Sequence, residues 1–162
     1  MALSVWGRVF NMETCIRTPI GWLLIDYKDE VVERIRFSDT PLDCVEANTK
    51  VINELRAYFA GKLTQFTVKP KLPTNSLHRK VYEVLLHIPY GKTCSYSEVA
   101  QLVGSTPRGV ARIIARNPIP IIIPCHRVVY KTGNIGGYSG GVWRKRFLLE
   151  LESTTLNLPT GG

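Results

Sequence analysis

Ser97-Glu98-Val99-Ala100-Gln101-Leu102-Val103-Gly104-Ser105-Thr106-Pro107-Arg108-Gly109-Val110-Ala111-Arg112-Ile113-Ile114-Ala115-Arg116 has the pattern of two short helices broken at a glycine. Ser97 can cap the first, with Val99, Leu102 and Val103 as its core face and Gly104 as its stop. Ser105-Thr106-Pro107 then opens the second, expected over Arg108 to Arg116. Two helices joined in this way form a helix-turn-helix, a pattern common enough that by itself it points only weakly to DNA. Upstream, Ser76 can cap a helix running through His87, with Val81, Val84, Leu85 and Ile88 on its apolar face, and Pro89-Tyr90-Gly91-Lys92 reads as a turn.

The first half has a different texture. Gly21–Tyr27 and Val31–Phe37 are apolar runs around the polar break Lys28-Asp29-Glu30, which predicts a hairpin. Thr40 and Pro41 can open a helix carrying Val45, Asn48, Ile52, Leu55 and Phe59 and ending at Gly61, and Thr64–Val68 reads as a further strand. Lys69–Ser76 holds two prolines and no period, so it reads as a linker. The expected layout is an α/β domain over residues 1–72 with a linker to about 76, a helical domain over 77–152 and a flexible tail over 153–162.

The 162 residues suffice for one ordinary domain or two small ones. No run of 18 apolar residues occurs and the start MALSVWGRVF lacks the pattern of a secretory signal, so an intracellular protein is expected. Residues 1–76 carry 10 basic and 9 acidic side chains, a net of +1, whereas residues 77–152 carry 11 and 4, a net of +7. Almost all of the formal charge of +8 thus lies in the helical half, where it favours polyanions such as nucleic acid. The four cysteines form no CxxC pair, which argues against a zinc finger or a disulfide framework. Cys15, Cys44 and Cys94 read as buried reduced thiols, with a bridge left open.

Chemistry concentrates in Pro118-Ile119-Pro120-Ile121-Ile122-Ile123-Pro124-Cys125-His126-Arg127-Val128. Three prolines around an apolar run suit neither a long helix nor a central strand, so a buried, rigid crossing segment is expected to hold Cys125 in place. An unassisted thiol is only a few per cent thiolate at neutral pH. His126 is the nearest candidate base. Neighbours in extended chain face opposite ways, so direct contact is not assured, and a bridging water could link the two. Glu152, at the end of an expected helix over Val142–Leu151, could orient the histidine. Gly133–Gly141 lacks the ending of a phosphate-binding loop. Its glycines would let backbone approach a flat ligand, with Tyr138 and Ser139 supplying hydroxyls.

Ile88–Ala100 (IPYGKTCSYSEVA), Thr106–Ala111, Arg116–Val129 (RNPIPIIIPCHRVV), Gly136–Gly141 (GGYSGG) and Leu148–Glu152, in this order, resemble the O6-alkylguanine-DNA alkyltransferases. The likeness runs from about Val81 to Glu152, and Asn117-Pro118 followed by PCHRV is its most specific part. It implies an α+β protein with a small ribonuclease-H-like N-terminal domain and a helix-turn-helix C-terminal domain that enters the minor groove. The activity implied is irreversible, single-turnover transfer of an alkyl group from O6-alkylguanine, and O4-alkylthymine, in double-stranded DNA. The protein would be a cytoplasmic monomer needing neither metal nor cofactor.

Cys125 resembles the alkyl acceptor, His126 its water-linked base and Glu152 the partner of that base. Asn117 is similar to the residue that buttresses the active-site turn. Tyr96 is similar to the one that presses on the target's 3′ phosphate and helps protonate the leaving guanine. Arg108 resembles the finger that fills the gap left by the flipped base. Gly109 and Arg112 lie beside it on the DNA-facing helix. Tyr138 and Ser139 match the guanine-contacting pair, with backbone of Cys125 and Val128 reading the exocyclic amine. Arg112 and Ile113 depart from the small residues often found there. Three other classes stay in view: a lesion-binding protein that lacks transfer, which Cys125 argues against; a cysteine hydrolase, which would turn over; and a sequence-specific helix-turn-helix repressor, which would ignore the lesion.

Overall fold

The computed structural model describes residues 12–157; the readings of the first ten residues and of residues 158–162 fall outside that range. The described chain divides into two units, one ending at Lys71 and the other beginning at Leu72.

In the first unit, β1 (Met12–Thr18), β2 (Gly21–Lys28) and β3 (Val31–Ser38) form an antiparallel meander, and β4 (Lys69–Pro70) adds to β3 in parallel. Alternation puts Leu23, Ile25 and Tyr27 of β2 into the core. On β3 the buried residues Val32 and Ile35 are three apart, because the register shifts opposite Asp26/Tyr27 and so re-aims the strand. That shift is why the sequence showed only partial alternation there. The hairpin was expected, whereas β1 was not.

The helix expected from Thr40 forms only as α1 (Lys50–Phe59), capped by Thr49. Val45 is exposed, and residues 40–49 take no helix because other bonds claim them. The Thr14 hydroxyl donates to Val45 O at 3.1 Å and accepts from Ala47 N–H at 2.9 Å. Cys44 is joined to Cys15 of β1 by a disulfide, their Cα atoms 6.1 Å apart, within bonding range. The reading of both as reduced thiols is therefore corrected, and Cys94 is half-exposed rather than buried. Thr64–Val68 is not a strand; the pairing begins one residue later, inside the proline-containing segment read as linker.

The second unit holds α2 (Ser76–Leu86), α3 (Tyr96–Val103), α4 (Pro107–Ala115) and α5 (Val142–Asn157), with a two-stranded parallel ladder of β5 (Cys94–Ser95) and β6 (Val128–Val129). The caps fall one or two residues before those expected, at Asn75 for α2 and Ser95 for α3, while Thr106 caps α4. Gly104 ends α3 with φ +70, as a helix stop requires. Val81, Leu85, Val99, Val110, Ile113 and Ile114 pack between α2, α3 and α4. The Tyr82 hydroxyl donates to Ile113 O at 2.8 Å and ties α2 to α4. Leu102, expected in the core, is 69% exposed and lines an open groove with Lys80, Glu83 and Val84 of α2. Helix α5 continues to Asn157, so residues 153–157 of the expected flexible tail are helical. No described helix is long and apolar enough to cross a membrane.

Candidate active site

Residues 119–128 are almost wholly buried, as the proline-rich apolar run implied. The chain folds back between Ile119 and Ile123, whose N–H donates to Ile119 O at 3.0 Å. Ile121 sits there at φ +75, a strained conformation for a β-branched residue that persists only when its surroundings enforce it. Asn117 supplies that enforcement. Its Nδ2 donates to Ile123 O at 2.9 Å and its Oδ1 accepts from Ile119 N–H at 2.9 Å, so one buried amide clamps both ends of the turn. Pro124 then leads into a single 3-10 turn, Cys125–Arg127. The segment is thus turned, not extended, at the cysteine.

Cys125 is 3% exposed and lies on a cavity of about 320 Å³ lined by Tyr96, Ala111, Ile114, Ala115, Tyr130, Gly137, Tyr138 and Ser139. That volume lies at the small end of ligand pockets. Burial pushes the thiol up, while hydrogen bonds from Asn117 and Tyr138 and the charge of Lys145 pull it back toward thiolate. Burial and Cys125 together push the Tyr138 phenol well up. Tyr96 is the first residue of α3, its phenol pushed up to about 12 by burial and by Tyr130 and Cys125. Its ring packs on Tyr130 with centroids 4.6 Å apart.

Gly136 lets the glycine-rich loop close over these rings. A Cβ there would come within 2.9 Å of the Tyr96 hydroxyl and 3.1 Å of Tyr130, at φ +78. Gly136→Ala is expected to displace the Tyr96 ring, with a loss of roughly 1–3 kcal/mol in stability. Chemical denaturation would show it, and a wild-type midpoint would mean that the loop moves aside freely.

Behind the cysteine lies a fully buried charge cluster. His126 Nε2 donates to Glu152 Oε2 at 2.6 Å. Arg127 grips the same carboxylate from two sides, Nε to Oε1 at 2.8 Å and Nη2 to Oε2 at 3.0 Å, and its Nη1 donates to Ile88 O at 2.8 Å. Gly91 N–H donates to Glu152 Oε1 at 3.1 Å. Burial alone would raise the Glu152 pKa. The hydrogen bonds and charges of His126 and Arg127 outweigh burial and hold it well below the carboxylate range. Burial lowers His126 despite Glu152, so the imidazole is neutral. An ionised carboxylate only accepts, which puts the imidazole proton on Nε2 and leaves Nδ1 as a bare base. That Nδ1 is buried with no hydrogen-bond partner among the described residues.

The expected site residues therefore fall into three places. Cys125, Tyr96, Tyr138 and Ser139 share the cavity, and Asn117, His126 and Glu152 support it from behind. Glu152 lies inside α5 rather than at its end. Arg108 and Arg112 are exposed on α4, outside the cavity wall, while Gly109 is tucked under the cap, its N–H donating to Thr106 Oγ1 at 3.0 Å. The small α4 residues that face the cavity are Ala111 and Ala115, and Ile113 is buried in the core. The Val128 side chain is buried away from the cavity, and its N–H donates to Cys125 O.

Arg127 and Lys145 were not anticipated. Arg127 follows the Cys-His pair directly. Lys145 hides in the basic run Arg144-Lys145-Arg146, yet it is three residues from Leu148 and seven from Glu152, on the buried face of α5.

Fold and site together define a helix-turn-helix unit built around a buried cysteine backed by a histidine–carboxylate pair. The family model for the DNA-binding domain of 6-O-methylguanine DNA methyltransferase matches residues 76–154. A methylated-DNA–protein-cysteine methyltransferase of Mycobacterium bovis is 47% identical over 149 residues, covering 86% of this chain and 90% of that protein. The crystal structure of Mycobacterium tuberculosis O6-methylguanine methyltransferase superposes with a TM-score of 0.81 at 35% identity, covering 93% and 96% of the two chains. The Mycobacterium tuberculosis OGT solved in complex with DNA gives 0.78 at 37%, covering 88% and 93%. The chain belongs to the methylated-DNA–protein-cysteine methyltransferase family, that of the O6-alkylguanine-DNA alkyltransferases.

Proposed function

We propose that this protein repairs O6-alkylguanine, and O4-alkylthymine, by moving the alkyl group irreversibly to Sγ of Cys125, one event per molecule. The observation that carries the reading is Cys125 on a closed-in cavity whose wall includes the second helix of a helix-turn-helix, with a neutral histidine and an ionised glutamate behind it. A base stacked in a duplex cannot reach such a sulfur, so the nucleotide must flip out. Substitution at the alkyl carbon then needs a thiolate, alignment and a proton for the departing guanine.

In this reading Nδ1 of His126 takes the thiol proton through one bridging water, Glu152 orients the imidazole and Asn117 holds the turn. Tyr138 and Ser139 contact the guanine, with backbone of Cys125 and Val128, and Tyr96 delivers the proton. The protein acts as a cytoplasmic monomer on double-stranded DNA, with α4 in the minor groove and Gly109 and Arg112 beside the backbone. The ribonuclease-H-like description of the first unit rests on three antiparallel strands followed by a helix and a strand parallel to the third. The deciding measurement is a mass spectrum after mixing with a duplex containing O6-methylguanine. One methyl group on the peptide holding Cys125 is expected, and unmodified protein would overturn the proposal.

Arg108 has the role of wedge. It stands exposed in the first turn of α4, directly after the cap, and its long side chain can enter the stack and bond the orphaned base. Arg108→Ala is expected to slow repair of alkylated duplex on the order of ten- to a thousandfold, roughly 1.4–4 kcal/mol. Reaction with free O6-benzylguanine, which needs no flipping, should change little. Equal slowing on both substrates would place Arg108 in the fold or pocket instead.

A further inference from the structure

Four residues of the Cys125 cavity wall are exposed: Ala115, Tyr130, Gly137 and Ser139. They mark its mouth. Of the four, only Tyr130 carries a large side chain, and it is 44% exposed, whereas Tyr96 behind it is 5% exposed. A half-exposed aromatic ring on the rim of a concave site is a contact surface in search of a ligand, because covering it removes apolar area from water.

The ring is held in place from several sides. The parallel ladder pairs Ser95 with Val129, so the next residues on each strand, Tyr96 and Tyr130, emerge side by side. Their rings pack with centroids 4.6 Å apart at 37°. The Tyr130 N–H donates to Asn134 O at 2.8 Å and its carbonyl accepts from Gly133 N–H at 3.0 Å, which closes the turn over 130–134. Asn134 Oδ1 accepts from Gly136 N–H at 2.9 Å, and Gly136 lies so close to the ring that a Cβ on it would stand 3.1 Å from Tyr130 Cε2. Tyr130 thus presents a pre-positioned surface, and little side-chain freedom remains to be lost when a ligand covers it.

What covers it follows from the shape of the substrate. With a base inside a cavity of about 320 Å³, the atoms left in the mouth are those that join the base to the strand, and the first of them is the deoxyribose. We infer that Tyr130 is a substrate-binding residue whose exposed ring packs on the deoxyribose of the flipped nucleotide, so that the site reads the sugar as well as the base. The inference rests on the alkyl-transfer reading above and adds a contact to it. The contact is apolar and lies at the rim, so it contributes to holding the nucleotide and not to the chemistry at Sγ.

The test compares two substrates that differ only by the sugar, O6-benzylguanine and O6-benzyl-2′-deoxyguanosine. In Tyr130→Ala the ratio of second-order rate constants, nucleoside to free base, should fall about tenfold, within the range that truncating an aromatic contact to a nucleotide costs. The fall should lie in the half-saturating nucleoside concentration. Tyr130→Phe, which keeps the ring, should keep the wild-type ratio. A tyrosine that only covers Tyr96 would slow both substrates alike. An unchanged ratio in Tyr130→Ala would therefore overturn the inference, and so would a fall carried by the limiting rate.

A second measurement leaves position 130 intact. In Cys125→Ser protein bound to a duplex containing O6-methylguanine, nuclear Overhauser effects are expected between the Tyr130 ring protons and the deoxyribose of the modified nucleotide. A formed complex without them would overturn the inference as well. Failure of wild-type protein to take the benzyl group from either substrate onto Cys125 would instead overturn the underlying functional reading.

Discussion

Cys125→Ser is expected to abolish alkyl transfer, by more than about 10³-fold, while binding to lesion-containing duplex stays within about threefold of wild type. The substitution keeps the shape of the cavity floor and the backbone turn, which depend on Asn117 and the Ile119–Ile123 hydrogen bond rather than on the sulfur. What it removes is the nucleophile. A thiol is partly ionised near neutrality and its anion is highly reactive, whereas a serine hydroxyl stays protonated without a strong base. Cys94, the other free thiol among the described residues, is a poor substitute. Burial and the neighbouring Glu98 push it up to about 11, so it is almost wholly protonated at neutral pH. Peptide mapping after reaction with labelled methylated DNA checks both halves: label on a Cys94 peptide, or persistent transfer in Cys125→Ser, would remove Cys125 as sole acceptor.

Glu152→Ala is expected to cost both stability and rate. Glu152 is 1% exposed and holds His126, Arg127 and the Gly91 amide at once. Removing it leaves the Arg127 guanidinium buried without its anion, a change that typically costs about 3–5 kcal/mol. For a protein of this size each kcal/mol lowers Tm by about 2–4 °C. Transfer should fall as well, because His126 loses the group that fixes its tautomer, and lost base catalysis is typically worth about 10²–10⁴-fold. Glu152→Gln, of the same size, should show the rate loss with a smaller stability loss.

The pH dependence has a defined sign. Glu152 is held below its unfolded pKa of about 4.3, so its stabilisation is present in full above that value and fades as pH falls below it. The Tm difference between wild type and Glu152→Gln should therefore be constant near neutrality and narrow below about pH 4. A difference that did not change with pH would mean the carboxylate charge contributes nothing.

Much of the second unit was legible along the chain because its signals are local. A cap followed by an apolar stripe, a glycine at φ +70 and a proline in the first turn specify α3 and α4 to within a residue or two. The contact of His126 with Glu152 was readable as a chemical requirement. The failures lie where distant groups decide. Residues 40–49 lost their expected helix to Thr14 and Cys15 on β1, some 30 residues away, and the disulfide needed the strand to bring Cys44 within reach. Local propensity loses to such bonds because a short isolated helix is marginal. Arg127 and Lys145 look like surface charges in sequence, and only packing shows that one neutralises Glu152 and the other lies buried beside Tyr96. The kind of chemistry follows from which side chains the chain carries and how they are spaced. Which of them are stripped of water, and which charges must then find each other, is settled by tertiary burial, since a charge chooses its partner only once solvent can no longer serve.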